Sequence, residues 1–414
     1  MPAGPTPHRH AAASRASTPH AVTPGALFQL VRDGHADSRA GLARATGLAR
    51  STVSQRVDEL LLAGLLVERG DGPSTGGRPP TRLAFDSHGG VVLCADLGAT
   101  HCRLAVSDLD ASILAERPDE MDIANGPDVV LPWAQERFAD LLHEVGRSPA
   151  EVRGIGVGLP GPVEFAAGRA VNPPIMPGWD GVSVPEAFAA RYPGVPVLVD
   201  NDVNVMAIGE YWTSWRHDVD DLLFVKVATG IGCGIVSRGA LHRGADGTAG
   251  DLGHVQVPDA GDALCRCGNR GCVEAVASGG ALARRLTAAG IDAHDSRDVV
   301  ALVRAGNVEA STLVRQAGRL VGEVLAGAVN FFNPAVIVLG GDLAHAHEQF
   351  FAGVREIVYR RSTALATQHL QVARSRLDDR AGVIGCAVTV IEDVLSPAAI
   401  DAGLAAHAAQ EATA

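Results

Sequence analysis

The chain has 414 residues, 47% of them hydrophobic and only 4% aromatic, so two or three units with cores built from Ala, Val, Leu and Gly are expected. Its net charge of −12 is uneven: residues 1–82 hold ten Arg against six acids and the remainder 25 basic against 41 acidic side chains, so only the front suits a polyanion. No apolar run reaches the roughly 18 residues that span a bilayer, and seven cysteines, an odd number, argue against a disulfide framework. Residues 1–22, rich in Pro, His, Ala and Ser, read as a disordered arm and not as a signal peptide. A cytoplasmic protein with no membrane partner is expected. Lys226 is the only lysine, which in sequence alone carries no functional meaning.

Residues 23–86 show three short helical patterns and a hairpin. Thr23 and Pro24 form an N-cap and first helical position, followed by an apolar stripe of Leu27, Leu30 and Val31. Ser38 can cap a second helix that ends at Gly47. In a third, "LARSTVSQRVDELLLAG", Val53, Val57, Leu60 and Leu61 fall on one face. Ser51, Thr52 and Gln55 point the other way, with Arg50 and Arg56 flanking them. This is the sequence form of a helix-turn-helix whose third helix enters the major groove of double-stranded DNA. "LLVERGDGPSTGGRPPTRLAF" then reads as strand, Gly-rich turn, strand: a wing, from which Arg78 would reach a minor groove. A three-helix protein-binding module is the alternative, and helix spacing, wing and local charge together favour DNA.

From about Val91 strands alternate with helices, the pattern of an α/β body. "VLCADLGATHCRLAVSD" (92–108) and "LFVKVATGIGCGIVSRG" (223–239) both read strand, Gly/Thr turn, strand, which suggests a duplicated unit with a phosphate chain between the two turns. The expected divisions are residues 87–205, residues 206–397, and an Ala-rich tail over 398–414. In "VIVLGGDLA", Gly340 and Gly341 would let a flat ring approach the backbone.

His254, Cys265, Cys267 and Cys272 follow the spacing H-x10-C-x-C-x4-C. Three thiols on a tight Gly-rich loop can converge on one tetrahedral ion that an imidazole completes, and the ligand types point to structural zinc. Such an ion would fix His254 through one ring nitrogen and leave the other for a ligand.

These motifs, in this order, resemble the ROK family of repressors, open reading frames and sugar kinases. The resemblance covers roughly residues 24–395. It implies the actin-like, hexokinase-like fold (a duplicated RNase H-like unit), here behind a winged helix-turn-helix as in xylose and N-acetylglucosamine repressors. It also implies zinc on His254 and the three cysteines, and sugar contacts from Asn201, Asp202, Asp251, His254 and Glu274. Asn172 is a further candidate. A sugar offers no charge to grip, so a specific site needs many paired hydrogen-bond groups, and these side chains supply them. Asp251 stands where the family usually has Glu.

In ROK kinases the residue matching Asp202 is the general base toward ATP, with Asp96 near Mg²⁺ and the turns at 98–100 and 229–232 around the phosphates. Asp96, Gly98, Thr100, Thr229 and Gly230 are kept. Ala99, His101 and Ala228 break the kinase pattern, and each Gly→Ala change adds a Cβ where backbone must approach phosphate. The expected protein is thus a sugar-responsive repressor. It would bind a palindromic operator as a homodimer or homotetramer and take a monosaccharide or sugar phosphate as effector. A sugar kinase that also binds DNA is the second reading, and a scaffold without ligand the third.

Overall fold

The computed structural model describes residues 22–70, 81–346 and 348–411. Nearly all of the 1–22 arm lies outside them, and so does the Gly-rich turn with Arg78. The chain divides into two compact units, residues 1–86 with 395–414, and residues 87–394.

The smaller unit begins with three helices, α1 (Pro24–Arg32), α2 (Arg39–Thr46) and α3 (Arg50–Leu62). Thr23 caps α1 ahead of Pro24, Ser38 caps α2 through the N–H of Gly41, and α2 ends on Gly47 at φ 72°, a left-handed position that glycine accepts at no steric cost. Val53, Val57 and Leu60 are fully buried, and Leu61 is half-buried. Strands β1 (Leu66–Arg69) and β2 (Arg82–Phe85) pair antiparallel, and Phe85 meets the Phe28 ring edge-on. The segment expected as an Ala-rich tail forms a helix, Pro397–Glu411, and packs on α1. Gly25 N–H donates to Asp401 Oδ1 at 2.8 Å, and Gln29 Nε2 donates to the Leu395 carbonyl at 2.6 Å. A Cβ at Gly25 would collide with the Pro397 backbone.

The larger unit holds two five-stranded sheets. The first draws on β3 (Val91–Leu97), β4 (Cys102–Ser107), β5 (Ile113–Asp119), β6 (Val152–Leu159) and β9 (Val197–Asn201). Between them come α4 (Pro127–Glu144), the two-residue strands β7 (Val163–Glu164) and β8 (Arg169–Ala170), and α5 (Val184–Ala189). Its order is β5-β4-β3-β6-β9. Helix α6 (Asp202–Ser214) leads on to β10 (Leu222–Val227), β11 (Ile231–Ser237) and β12 (Ala240–Leu241). Helices α7 (Val273–Ala277), α8 (Gly279–Ala288), α9 (Ser296–Arg304) and α10 (Val308–Phe332) precede β13 (Val336–Gly340). Then follow α11 (Glu348–Arg361), α12 (Ala364–Thr367), β14 (Gln371–Arg374) and α13 (Ala381–Val394). The second order is β12-β11-β10-β13-β14.

The two sheets repeat one plan. An antiparallel hairpin, β3–β4 or β10–β11, is extended by two parallel strands, β6 and β9 or β13 and β14. Of the parallel strands, β6 and β13 are buried almost throughout, as strands covered on both faces must be, and the outer β9 and β14 are largely half-buried. Trp179 is fully buried beneath the first sheet and donates from Nε1 to the Ile123 carbonyl at 3.0 Å. Helices α6 and α13 cross at glycines. A Cβ on Gly209 would meet the Ala381 carbonyl, and one on Gly385 the Val205 carbonyl, so the two backbones touch directly. Among the described residues no single helix is long and apolar enough to cross a membrane.

Candidate functional site

Strand ends and both hairpin turns of the larger unit open on one cavity of about 800 Å³. Asn172, Asn201, Asp202, Asp251, His254 and Glu274 line it, together with Asp96, Gly98, Thr100, Thr229, Gly230 and Gly341. Gly340 does not. Its missing Cβ faces the Phe224 ring, so this glycine serves internal packing, and the expectation of a flat ring against it is corrected. Nine carboxylates against four arginines and one lysine line the cavity, an environment better matched to a neutral polyol than to an anion.

The side chains differ in how free they are. Asn201 is the N-cap of α6: its Oδ1 accepts from the N–H groups of Val203 and Asn204, and its Nδ2 donates to the Gly161 carbonyl. Asp202, in the first helical turn, accepts from Lys226 Nζ at 2.7 Å on Oδ2 and from Val203 N–H on Oδ1. Burial alone would lower the Lys226 ammonium, but the carboxylates of Asp202, Asp96 and Asp342 outweigh it and raise its pKa above the ordinary lysine value. Glu274 Oε2 accepts from the Ile231 N–H at 2.9 Å, which ties α7 to the second hairpin turn. Asn172 stands at φ 43°, and its backbone N–H donates to Asp180.

Two residues that sequence reasoning missed organise this end. Asp200 is buried and accepts from Arg243 Nε at 2.7 Å, Asn204 Nδ2 at 2.8 Å and Asn201 N–H at 2.8 Å. Arg243 stacks over the Phe165 ring at 3.8 Å. Asp200 directly precedes Asn201 and Asp202 in the sequence D-N-D, which was its signal. Arg243, 43 residues away, carried none.

Asp96 Oδ1 is buried with no hydrogen-bond partner. Burial pushes this carboxyl up to about 7, the Asp202 charge adds to the rise, and Lys226 and Arg103 oppose it. The unfolded chain releases the proton near pH 4, whereas the folded one keeps it to about pH 7. Stability from this group therefore falls as pH rises through that window, by up to about 1.4 kcal/mol per pH unit. Asp96→Asn removes the dependence. Denaturant melts at pH 5 and pH 8 are expected to show the variant gaining on the native protein as pH rises, and parallel curves would refute the assignment.

The four cluster residues come together. One ring nitrogen of His254 and the three thiol sulfurs all lie within 4.8 Å of one another. The Cys267–Cys272 sulfurs are 3.8 Å apart, and Cys265 Sγ is 3.5 Å from His254 Nδ1. A tetrahedron with Zn–S near 2.3 Å and Zn–N near 2.0–2.1 Å requires edges of about 3.8 and about 3.5 Å, so the donor set has the size of a zinc site. His254 Nε2 faces away from it, 3.8 Å from Asp251 Oδ1.

In the smaller unit Arg50, Ser51 and Gln55 are exposed on the first turns of α3, and Thr52 and Arg56 are half-buried beside them. No side chain caps α3, so its first N–H groups remain available to a phosphate oxygen. Arg78 lies outside the described residues.

Over residues 92–393 the sequence matches the ROK family. This chain belongs to the ROK family. Its ROK body has the actin-like, hexokinase-like fold, shared by regulators and kinases alike. The chain is 29% identical over 383 residues to the xylose repressor of Caldicellulosiruptor bescii, covering 89% of this chain and 95% of that one. A solved ROK family transcriptional regulator, described as a homologue of the E. coli MLC protein, superposes with a TM-score of 0.77 at 25% identity, over 92% of this chain and 98% of its own. A ROK family glucokinase from Streptomyces griseus, solved with glucose and AMPPNP, gives 0.64 at 26% identity, over 72% of this chain and 99% of its own. Regulators thus match nearly the whole ROK chain, and the kinase a smaller share.

Proposed function

We propose that this ROK protein is a sugar-responsive DNA-binding repressor. The observation that carries the reading is the pairing, in one chain, of a three-helix head whose third helix exposes Arg50, Ser51 and Gln55 with a cavity lined by Asn172, Asp202, Asp251, His254 and Glu274. The repressor names of relatives that match almost end to end support it. The α3 side chains would read base edges and phosphates of double-stranded DNA, and the cavity would hold a monosaccharide by paired hydrogen bonds.

His254, Cys265, Cys267 and Cys272 would hold zinc in a closed, structural site. When bound, the ion supplies a fixed wall. His254 then presents Nε2 to a ligand hydroxyl in one tautomer, with Asp251 beside it. Two heads of a dimer must match half-sites about 34–36 Å apart or a multiple of that. Sugar would act by favouring one arrangement of the assembly, and its effect on DNA equals its differential affinity for the two arrangements.

The kinase reading rests on Asp96, Gly98, Thr100, Thr229, Gly230 and Asp202. Against it stand Ala99 and Ala228 in the phosphate turns and the lysine already seated on Asp202. Operator fragments titrated by fluorescence anisotropy, with and without each of a panel of monosaccharides, test the main reading. One sugar is expected to change operator affinity roughly tenfold or more, a coupling of about 1.4 kcal/mol, with no sugar-dependent ATP turnover in a coupled assay. Equal affinity with every sugar, or turnover of ATP by the native protein, would sink it.

A further inference from the structure

Lys226, the one lysine of the chain, stands on β10 in the middle of the second sheet. Its direct cross-strand partners are Gly232 on β11 and Gly340 on β13. Neither has a Cβ, and the space over them is filled by the Phe224 ring and by Val203. From this packed setting Nζ reaches Asp202 Oδ2 at 2.7 Å, with only 7% of the Asp202 side chain exposed. Both carboxylate oxygens then have a protein donor, Lys226 on one and Val203 N–H on the other. Each keeps a second acceptor position.

A metal–nucleotide pair does not fit this arrangement. An ammonium ion already sits on the carboxylate that would serve as base and faces Asp96, beside which a divalent cation would have to be placed, and like charges at close range repel strongly in a poorly hydrated cleft. Asp96 Oδ1 is buried away from solvent, which leaves this carboxylate one oxygen for a cation, and Ala99 and Ala228 each add a Cβ in the two turns.

We propose that Lys226 is a resident counter-cation which excludes metal–nucleotide from the cleft and holds Asp202 as a fixed hydrogen-bond acceptor for a hydroxyl of a neutral sugar. Lys226 is a positioning residue, since it acts through Asp202. The inference rests on the reading of the cleft as a sugar site. It makes silence toward ATP a built property of one side chain. The same carboxylate that would take a proton in a kinase here only accepts a hydrogen bond.

Mn²⁺ with a non-hydrolysable ATP analogue is the probe, read by electron paramagnetic resonance on full-length protein. Lys226→Met is expected to bind the Mn²⁺–nucleotide at least about tenfold tighter than the native protein, the scale of removing one close like charge. Lys226→Arg, which keeps the charge, should gain nothing, and adding Asp202→Asn to Lys226→Met should abolish the gain. A purely structural lysine would not produce that pattern. Native protein that holds the probe as tightly as Lys226→Met overturns the proposal, as does a Lys226→Met protein with no gain.

A second measurement needs no variant. Lys226 and the α-amino group are the only amines, so labelling by an amine-reactive ester can be read site by site in a mass spectrometer. Lys226 in the folded protein should label at least about tenfold more slowly than after unfolding, and equal rates would overturn the pairing. Sugar binding is followed separately by thermal shift. If no monosaccharide stabilises the native protein, the sugar reading falls, while the Mn²⁺ contrast still decides whether Lys226 excludes the metal.

Discussion

Protein freed of metal, and shown to be so by elemental analysis, should lose its sugar response. The loop from His254 to Val273 has no paired strand, and its backbone bonds are mostly single turns. Those that cross it include Val257 N–H to Gly271, Cys265 N–H to Asn269, Gly271 N–H to Ala263 and Val273 N–H to Val255, with isolated bridges at Gln256–Cys272 and Leu264–Arg270. A 20-residue stretch without a strand ladder gains from another constraint, and a four-donor ion would supply one. Without it the His254 ring is left with only the Cys265 thiol at 3.5 Å and Asp251 at 3.8 Å, and Glu274, just beyond the loop, loses its stable platform. Sugar affinity is expected to fall by about tenfold to a hundredfold, the cost of disturbing groups that orient a site. Cys272→Ser, at a fully buried donor, should behave the same way, with zinc content below one per chain. Metal-free protein that keeps the full thermal shift with sugar would dismiss the brace. Zinc bound at full occupancy by Cys272→Ser would dismiss that cysteine as a ligand.

The second large effect concerns folding. At Gly385 the two long elements α6 and α13 touch through their backbones, and an added methyl would overlap the Val205 carbonyl. Neither helix backbone can yield without moving a sheet, because α13 packs on β3 and β6 and α6 on β10 and β11. Gly385→Ala is therefore expected to cost about 3 kcal/mol or more, the upper range of overpacking, or to leave the protein insoluble. Gly403, in the C-terminal helix, has nothing within 4 Å of its missing Cβ. There the same substitution should stabilise by about 0.4–1 kcal/mol through the unfolded chain. Denaturant melts of the pair give the contrast, and equal effects would show that the crossing tolerates a side chain.

Local signals made the head readable. The caps at Thr23 and Ser38, the glycine at position 47 and the spacing of Val53, Val57 and Leu60 each act within a few residues, and the helices form where these place them. The sheets were readable for a related reason, since two Gly/Thr turns between apolar runs become the hairpins β3–β4 and β10–β11. The cluster of His254, Cys265, Cys267 and Cys272 was readable because three of the four share one short loop. What escaped depends on partners far along the chain. Lys226 looked like an accident of composition until β10 carried it to Asp202, 24 residues earlier. Arg243 looked like one of many arginines until the fold set it on Asp200. Gly340 looked like a ligand platform, but what lies above a glycine depends on which side chain crosses it, here Phe224. Physical pattern identifies elements; it does not pair them across hundreds of residues.

The helix Pro397–Glu411 belongs to the smaller unit, although its residues are made after the whole body. A ribosome delivers α1, α2 and α3 first, but the Asp401 carboxylate that receives the Gly25 N–H and the Leu395 carbonyl that receives Gln29 emerge only after the whole body has been translated. A nascent chain thus carries α1, α2 and α3 without the helix that packs on α1. A message cut short ahead of Pro397 yields a body with an unfinished head.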